Sequence, residues 1–210
     1  MKITTVLSAS VFSLCLAGNA TAATCESLKS TALPDTTIES SVTVPAGSFK
    51  DPAVPWALPA KLPEHCRVIG MIKPTADSNI RLEVWLPTAN WNGKLQGAGN
   101  GGFAGSITYH GGLVEAVQRG YAGASTDTGH AAADNENVQW AKGHPEKLVD
   151  FGHRAIHLMT VNAKAIIKAY YGEAPKRSYF ASCSNGGRQA LMTAALSRGL
   201  RRHHRRRACQ

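Results

Sequence analysis

Between residues 67 and 196 the apolar positions follow two rhythms. Short apolar runs bounded by turn residues read as strands over Val68 to Ile72, Ile80 to Leu86, Lys94 to Ala98, Tyr121 to Ser125 and Ser178 to Ser182. Between the later runs the period lengthens to that of a helix. Leu113 to Arg119 is a short example. Asp150 to Tyr171 is a long one, with Phe151, Ala155, Leu158, Met159, Asn162, Ile166 and Ala169 on one face and Gly172 as a stop. Strands alternating with helices predict a parallel α/β sheet with right-handed crossovers. Glycines gather at the strand ends: Gly97, Gly99, Gly101, Gly102 and Gly105, then Gly120, Gly123 and Gly129. Loops of that kind let backbone N–H groups approach a ligand closely.

The two ends break these rhythms. Met1 and Lys2 lead into an apolar stretch from Ile3 to Gly18, and Asn19-Ala20-Thr21-Ala22-Ala23 supplies small residues at alternate positions. Residues 1–23 therefore read as a secretory signal peptide, with the mature chain secreted or periplasmic and no membrane span following. Export puts Cys25, Cys66, Cys183 and Cys209 in an oxidising compartment, while Cys15 leaves with the signal. Cys25 and Cys66 bracket a Pro-rich, weakly patterned segment whose unfolded freedom a cross-link would restrict, so they are expected to pair. No C-x-x-C or H-x-x-H spacing occurs, and no metal site is expected in these residues.

Charge changes the picture only at the C-terminus. The formal charge is +9, from 23 Lys+Arg against 14 Asp+Glu. Six of the arginines are Arg198, Arg201, Arg202, Arg205, Arg206 and Arg207, and without them the balance falls to 17 − 14 = +3. Binding to nucleic acid or an anionic surface would rest on that short segment. The competing reading from composition is thus a secreted basic binding module without catalysis.

Candidate chemistry concentrates in Ser178 to Met192, where an apolar strand runs through small residues into a helical pattern. Such a strand-to-helix elbow lifts a serine at its apex, here Ser184, and needs small neighbours two positions away on each side, here Ser182 and Gly186. The motif is S-x-S-x-G rather than G-x-S-x-G. A serine hydroxyl attacks only when a base takes its proton, and the following helix N-terminus offers N–H groups to the developing oxyanion. Asn185 is the natural first donor. A second comes from another loop at the same sheet edge, for which Gly99-Asn100-Gly101-Gly102-Phe103 is suitably placed.

These residues carry a resemblance. Glu83-Val84-Trp85-Leu86-Pro87, Trp91-Asn92-Gly93-Lys94, Gly99-Asn100-Gly101-Gly102, Thr126-Asp127-Thr128-Gly129-His130, Gly143-His144-Pro145-Glu146-Lys147, Tyr170-Tyr171-Gly172 and Tyr179 to Gln189 resemble the tannase and feruloyl esterase family up to about Ala195. The resemblance implies a secreted serine esterase of α/β-hydrolase fold that cleaves aromatic esters of galloyl or feruloyl type. It implies Ser184 as the nucleophile, and Asn185 with Gly101 or Gly102 as the oxyanion hole. Cys25 and Cys66 match the family's N-terminal disulfide. Cys183 matches a cysteine that bonds another next to the catalytic histidine, so it is expected here without its partner.

The family's triad Asp and His lie downstream of the nucleophile, as does its calcium-binding lid domain. These 210 residues are accordingly read as a signal peptide (1–23), the N-terminal part of the esterase domain (24–198) and a basic tail (199–210). The lid and the later strands are missing on this reading, which makes the chain inactive by itself. Asp127, His130, His144, Asp150 and His153 precede the serine, match no triad position, and are expected to fix loops. If Gly199 to Gln210 are written in one choice of GC-rich codons and read one base later, they become GFDGIIAGAPA, an apolar continuation of the family type. The arginine-rich segment is therefore read as out-of-frame translation.

Overall fold

The computed structural model describes residues 23–52, 61–131 and 138–196. The expected signal peptide up to residue 22 and the basic tail lie outside these residues. A six-stranded sheet organises them, with β1 (Thr36–Val44), β2 (His65–Ile72), β3 (Ile80–Pro87), β4 (Lys94–Ala98), β5 (Ala122–Thr126) and β6 (Arg177–Ala181) in the order β1-β2-β3-β5-β4-β6. Four helices accompany it: α1 (Val114–Gln118), α2 (Pro145–Val149), α3 (Ala155–Tyr171) and α4 (Asn185–Leu196).

The sheet is mixed, which corrects the expectation of a parallel one. β4 pairs in parallel with β5 and β6, whereas β1/β2, β2/β3 and β3/β5 are antiparallel. Connection length is the cause. Residues 73–79 and 88–93 are too few for a crossover helix, so β2 and β3 form a hairpin and β4 enters antiparallel to β3.

Strand β3 is buried at nearly every position because the sheet is covered on both faces. On one face Val68, Ile72, Leu82, Val84 and Leu86 pack with Ile156, Met159, Ile166 and Ile167 of α3. Each such fully buried side chain contributes about 1.5–3 kcal/mol relative to exposure. On the other face Trp85 packs with Phe49, Leu62, Leu113, Val114 and Val117, the last two from α1. The expected long helix is present but divided: α2 runs into a π-helical turn at Asp150–Arg154, and α3 follows. Its buried face is shifted from the expected one, with Ile156 and Ala163 inside and Ala169 exposed. Gly172 ends it at φ 78° in the left-handed region.

Cys25 and Cys66 form the expected disulfide, with Cα atoms 5.4 Å apart. It ties the 3-10 turn Glu26–Ser30 to the start of β2, and Glu26 accepts hydrogen bonds from Thr43 N–H at 3.1 Å and Thr43 Oγ1 at 3.0 Å.

One feature of the topology positions a site. Strand β4 lies between β5 and β6, and the chain leaves β4 through α1 on one face but leaves β6 through α4, which packs against α3 on the other. Adjacent parallel strands whose connections part to opposite faces open a crevice at their carboxyl ends. The loop after β4 begins at Gly99 and the turn after β6 contains Ser184, so both face that crevice.

Candidate active site at the strand-to-helix turn

Ser184 sits between the end of β6 and the first residue of α4 with φ 53°, the left-handed backbone that side chains rarely adopt. The turn closes tightly: Gly186 N–H donates to Cys183 O at 2.8 Å, and Gly187 N–H donates to Ser184 O at 2.9 Å. A Cβ on Gly186 would collide with Ser182 Cβ and Oγ and stand 3.3 Å from Asn100 O, so the residue two after the serine must be glycine. Ser184 is exposed, and among the described residues its hydroxyl makes no hydrogen bond.

The N–H of Asn185 opens α4 without an acceptor among the described residues, and the positive end of the helix is directed at the serine. Its side chain is held back by Arg188, whose Nε donates to Asn185 Oδ1 at 2.8 Å. The Arg188 guanidinium also donates to Gly152 O at 2.8 Å and Phe151 O at 3.0 Å and lies 4.4 Å from the Phe151 ring centre. That fork fastens the elbow helix to the π-helical turn ahead of α3.

Across the crevice, Gly101 and Gly102 are exposed and their N–H groups bond to no acceptor among the described residues. The loop is shaped by Gly102 at φ 49° and by a bond from Ala104 N–H to Gly101 O at 2.9 Å. Free amides on two loops beside an exposed serine on a helix N-terminus can hold a developing oxyanion while the hydroxyl attacks.

The polar residues upstream of Ser184 fix loops. Asp127 Oδ1 accepts from Gly129 N–H at 2.8 Å and Arg81 N–H at 2.9 Å, and burial pushes its carboxyl up to about 6. His130 Nε2 lies 2.6 Å from Phe103 O, with its ring stacked 4.0 Å from that of Trp140. His144 pairs with Asp77 at 2.7 Å, and the fully buried Asp150 accepts from Arg154 at 2.5 Å. His153 is exposed on the π-helical turn. None of them bonds to Ser184.

Cys183 corrects an expectation. It is a disulfide cysteine rather than an unpartnered thiol. A sulfur at an exposed position one residue before the apex is open to another cysteine, and in a disulfide it is no nucleophile.

A cavity of 360 Å³ opens beside the Asp127 turn, lined by Met71, Arg81, Asp127, His130 and Lys147 among others. It includes neither Ser184 nor the glycine loop. No group of three or more His, Cys, Asp or Glu side chains that could hold a metal ion occurs among the described residues.

The reading of the motifs gave no role to Asn100 and Gln189, which the fold joins as a buried amide pair. The available sign was Gln189 itself, a glutamine on the same helical face as Gly186 and Thr193, all three buried.

A family model described as tannase and feruloyl esterase matches residues 66–197. An uncharacterized esterase of Xanthomonas campestris pv. campestris is 45% identical over 174 residues, covering 82% of this chain and 29% of that protein. A probable feruloyl esterase B-2 of Aspergillus flavus is 38% identical over 133 residues, covering 61% of this chain and 24% of that one. The crystal structure of feruloyl esterase B from Aspergillus oryzae superposes with TM-score 0.74 at 30% identity, over 82% of this chain and 34% of that one. Tannin acyl hydrolase from Aspergillus niger, at 20% identity and TM-score 0.59, shares the fold, with 81% of this chain and 34% of that one covered. The 210 residues span about a quarter to a third of the length of these proteins.

Proposed function

Because the chain belongs to the tannase and feruloyl esterase family, we propose that it carries the nucleophile half of a serine esterase acting on aromatic carboxylic esters. The observation that carries this reading is the left-handed backbone of Ser184, φ 53°, beside unbonded amides on two loops. Ser184 Oγ attacks the ester carbonyl carbon as a base takes its proton. The carbonyl oxygen becomes an oxyanion held by the N–H of Asn185 and of Gly101 or Gly102. Collapse expels the alcohol, which takes the proton back from the base, and water then releases the acid from the acyl-enzyme by the same steps.

The base is a histidine oriented by an aspartate, both following Ser184 in α/β-hydrolase order. The 210 residues hold no position that matches either, and on this reading they do not turn over ester by themselves. The family match stops at residue 197, just ahead of the arginine-rich segment, which supports reading 199–210 as out-of-frame. The aromatic substrate class is supported by the printed names of the relatives, feruloyl esterase and tannin acyl hydrolase. The leader-like N-terminus and the Cys25–Cys66 bond support export.

Two proteins test this: the 210-residue chain, and the chain continued beyond Arg198 in the restored frame. The first is expected to hydrolyse methyl ferulate and methyl gallate no faster than its Ser184→Ala variant. The second is expected to hydrolyse at least one of them, and Ser184→Ala abolishes that activity. Turnover by the short chain through Ser184 would show that a base among His130, His144 and His153 serves. Turnover of neither ester by the restored chain would overturn the proposed substrate class.

A further inference from the structure

The turn carrying Ser184 and the loop carrying Gly101 and Gly102 follow different strands, so their spacing depends on contacts between them. Gln189 of α4 makes two of these. It faces inward from α4, 1% exposed, and Asn100 opposite is 3% exposed. Gln189 Oε1 accepts the backbone N–H of Asn100 at 3.2 Å, and Gln189 Nε2 donates to Asn100 Oδ1 at 3.1 Å. Asn100 Nδ2 in turn donates to Thr126 O at 2.9 Å and to Ser106 O at 2.7 Å, fastening the loop to the end of β5. Packing leaves no slack around the pair: a Cβ on Gly99 would stand 2.6 Å from Gln189 Oε1 and 2.9 Å from Ser182 Cβ.

The pairing also sorts the loop's donors. The Asn100 N–H is spent on Gln189, Ala104 N–H on Gly101 O and Gly105 N–H on Asp127 O, which leaves Gly101 and Gly102 facing the crevice unbonded among the described residues. We propose that Gln189 is a positioning residue for ester hydrolysis, setting through its two amide bonds to Asn100 the distance from the Ser184 hydroxyl to the Gly101 and Gly102 amides. The proposal rests on Ser184 being the nucleophile. An oxyanion donor acts where the charge develops, so a displaced loop loses transition-state stabilisation while ground-state binding is little changed.

Gln189→Leu removes both bonds at similar volume. In the chain continued in the restored frame, Gln189→Leu lowers kcat about 10- to 100-fold with KM changed less than about threefold. Gln189→Met, unbranched and of similar length, replaces the leucine variant if that does not fold, with the same loss expected. Hydrogen exchange on the 210-residue chain gives a reading independent of activity. Protection over residues 99–105 falls in Gln189→Leu, while β2 and β3 are unchanged. An unaltered kcat, a rise in KM at constant kcat, or unaltered protection over 99–105 overturns the positioning role. Activity that survives Ser184→Ala in the unsubstituted enzyme overturns the nucleophile assignment instead, and exchange alone then decides whether Gln189 holds the loop.

Discussion

Ser184 holds a backbone conformation that opposes its own stability. A side chain at φ 53° crowds the neighbouring carbonyl, and glycine is free of that cost. Compared with Ser184→Ala, which keeps the Cβ, Ser184→Gly is expected to be more stable by about 1 kcal/mol in urea unfolding. Equal midpoints for the two variants would mean that the turn is not strained at this residue. Asp127 gives a pH dependence. Burial raises its carboxyl from the ordinary 3.8 to about 6, so the folded state binds the proton more tightly than the unfolded state. Its contribution to stability is therefore fully present below about pH 4 and lost as pH rises through about 6. Asp127→Asn keeps an acceptor for Gly129 and Arg81 and is expected to flatten that decline across a pH series of unfolding curves. A variant with the same slope as the parent would assign the decline to another group.

At the scale of elements, the long apolar period of α3 and the short runs of β2, β3, β4 and β5 were legible in the sequence, since each buries a face against a neighbour, and the run of β6 was legible through Phe180, which packs against the core from a half-exposed strand. β1 was not: its burial reads Ile38 and Ser41 inside among exposed Thr37, Glu39, Val42 and Thr43, too sparse in apolar residues for an alternating strand. The division at Asp150–Arg154 was hidden for a different reason. The π-helical turn is set by the contacts of buried Asp150 with Arg154, and of Arg154 with Glu146 at 2.7 Å, which a periodicity count does not register. The disulfide closes a separation of 41 residues and fastens the 3-10 turn to the start of β2, beside the β1 edge. Replacing Cys25 and Cys66 together by alanine is expected to cost about 2–4 kcal/mol in unfolding free energy. Peptide mapping of the parent chain is expected to recover Cys25 linked to Cys66, and a Cys25–Cys183 peptide would contradict the fold at this edge.

Seen whole, the described residues form the sheet edge and crevice of an α/β-hydrolase with β6 outermost and Leu191 and Leu196 of α4 exposed. The elbow was readable because its demands are local: small residues at Ser182 and Gly186, and a serine between strand and helix. The tie between Asn100 and Gln189 was not, because it joins positions 89 apart through side chains that only the sheet order brings together. The competing picture of a basic binding module rests on residues 199–210. Whether Ser184 is an activated nucleophile is read most directly from the site of attack by a serine-directed phosphonate on the chain continued in the restored frame. One adduct, mapped to Ser184 and absent from Ser184→Ala, is the predicted result. An adduct on another residue, or no adduct in a chain that hydrolyses aromatic esters, would contradict it.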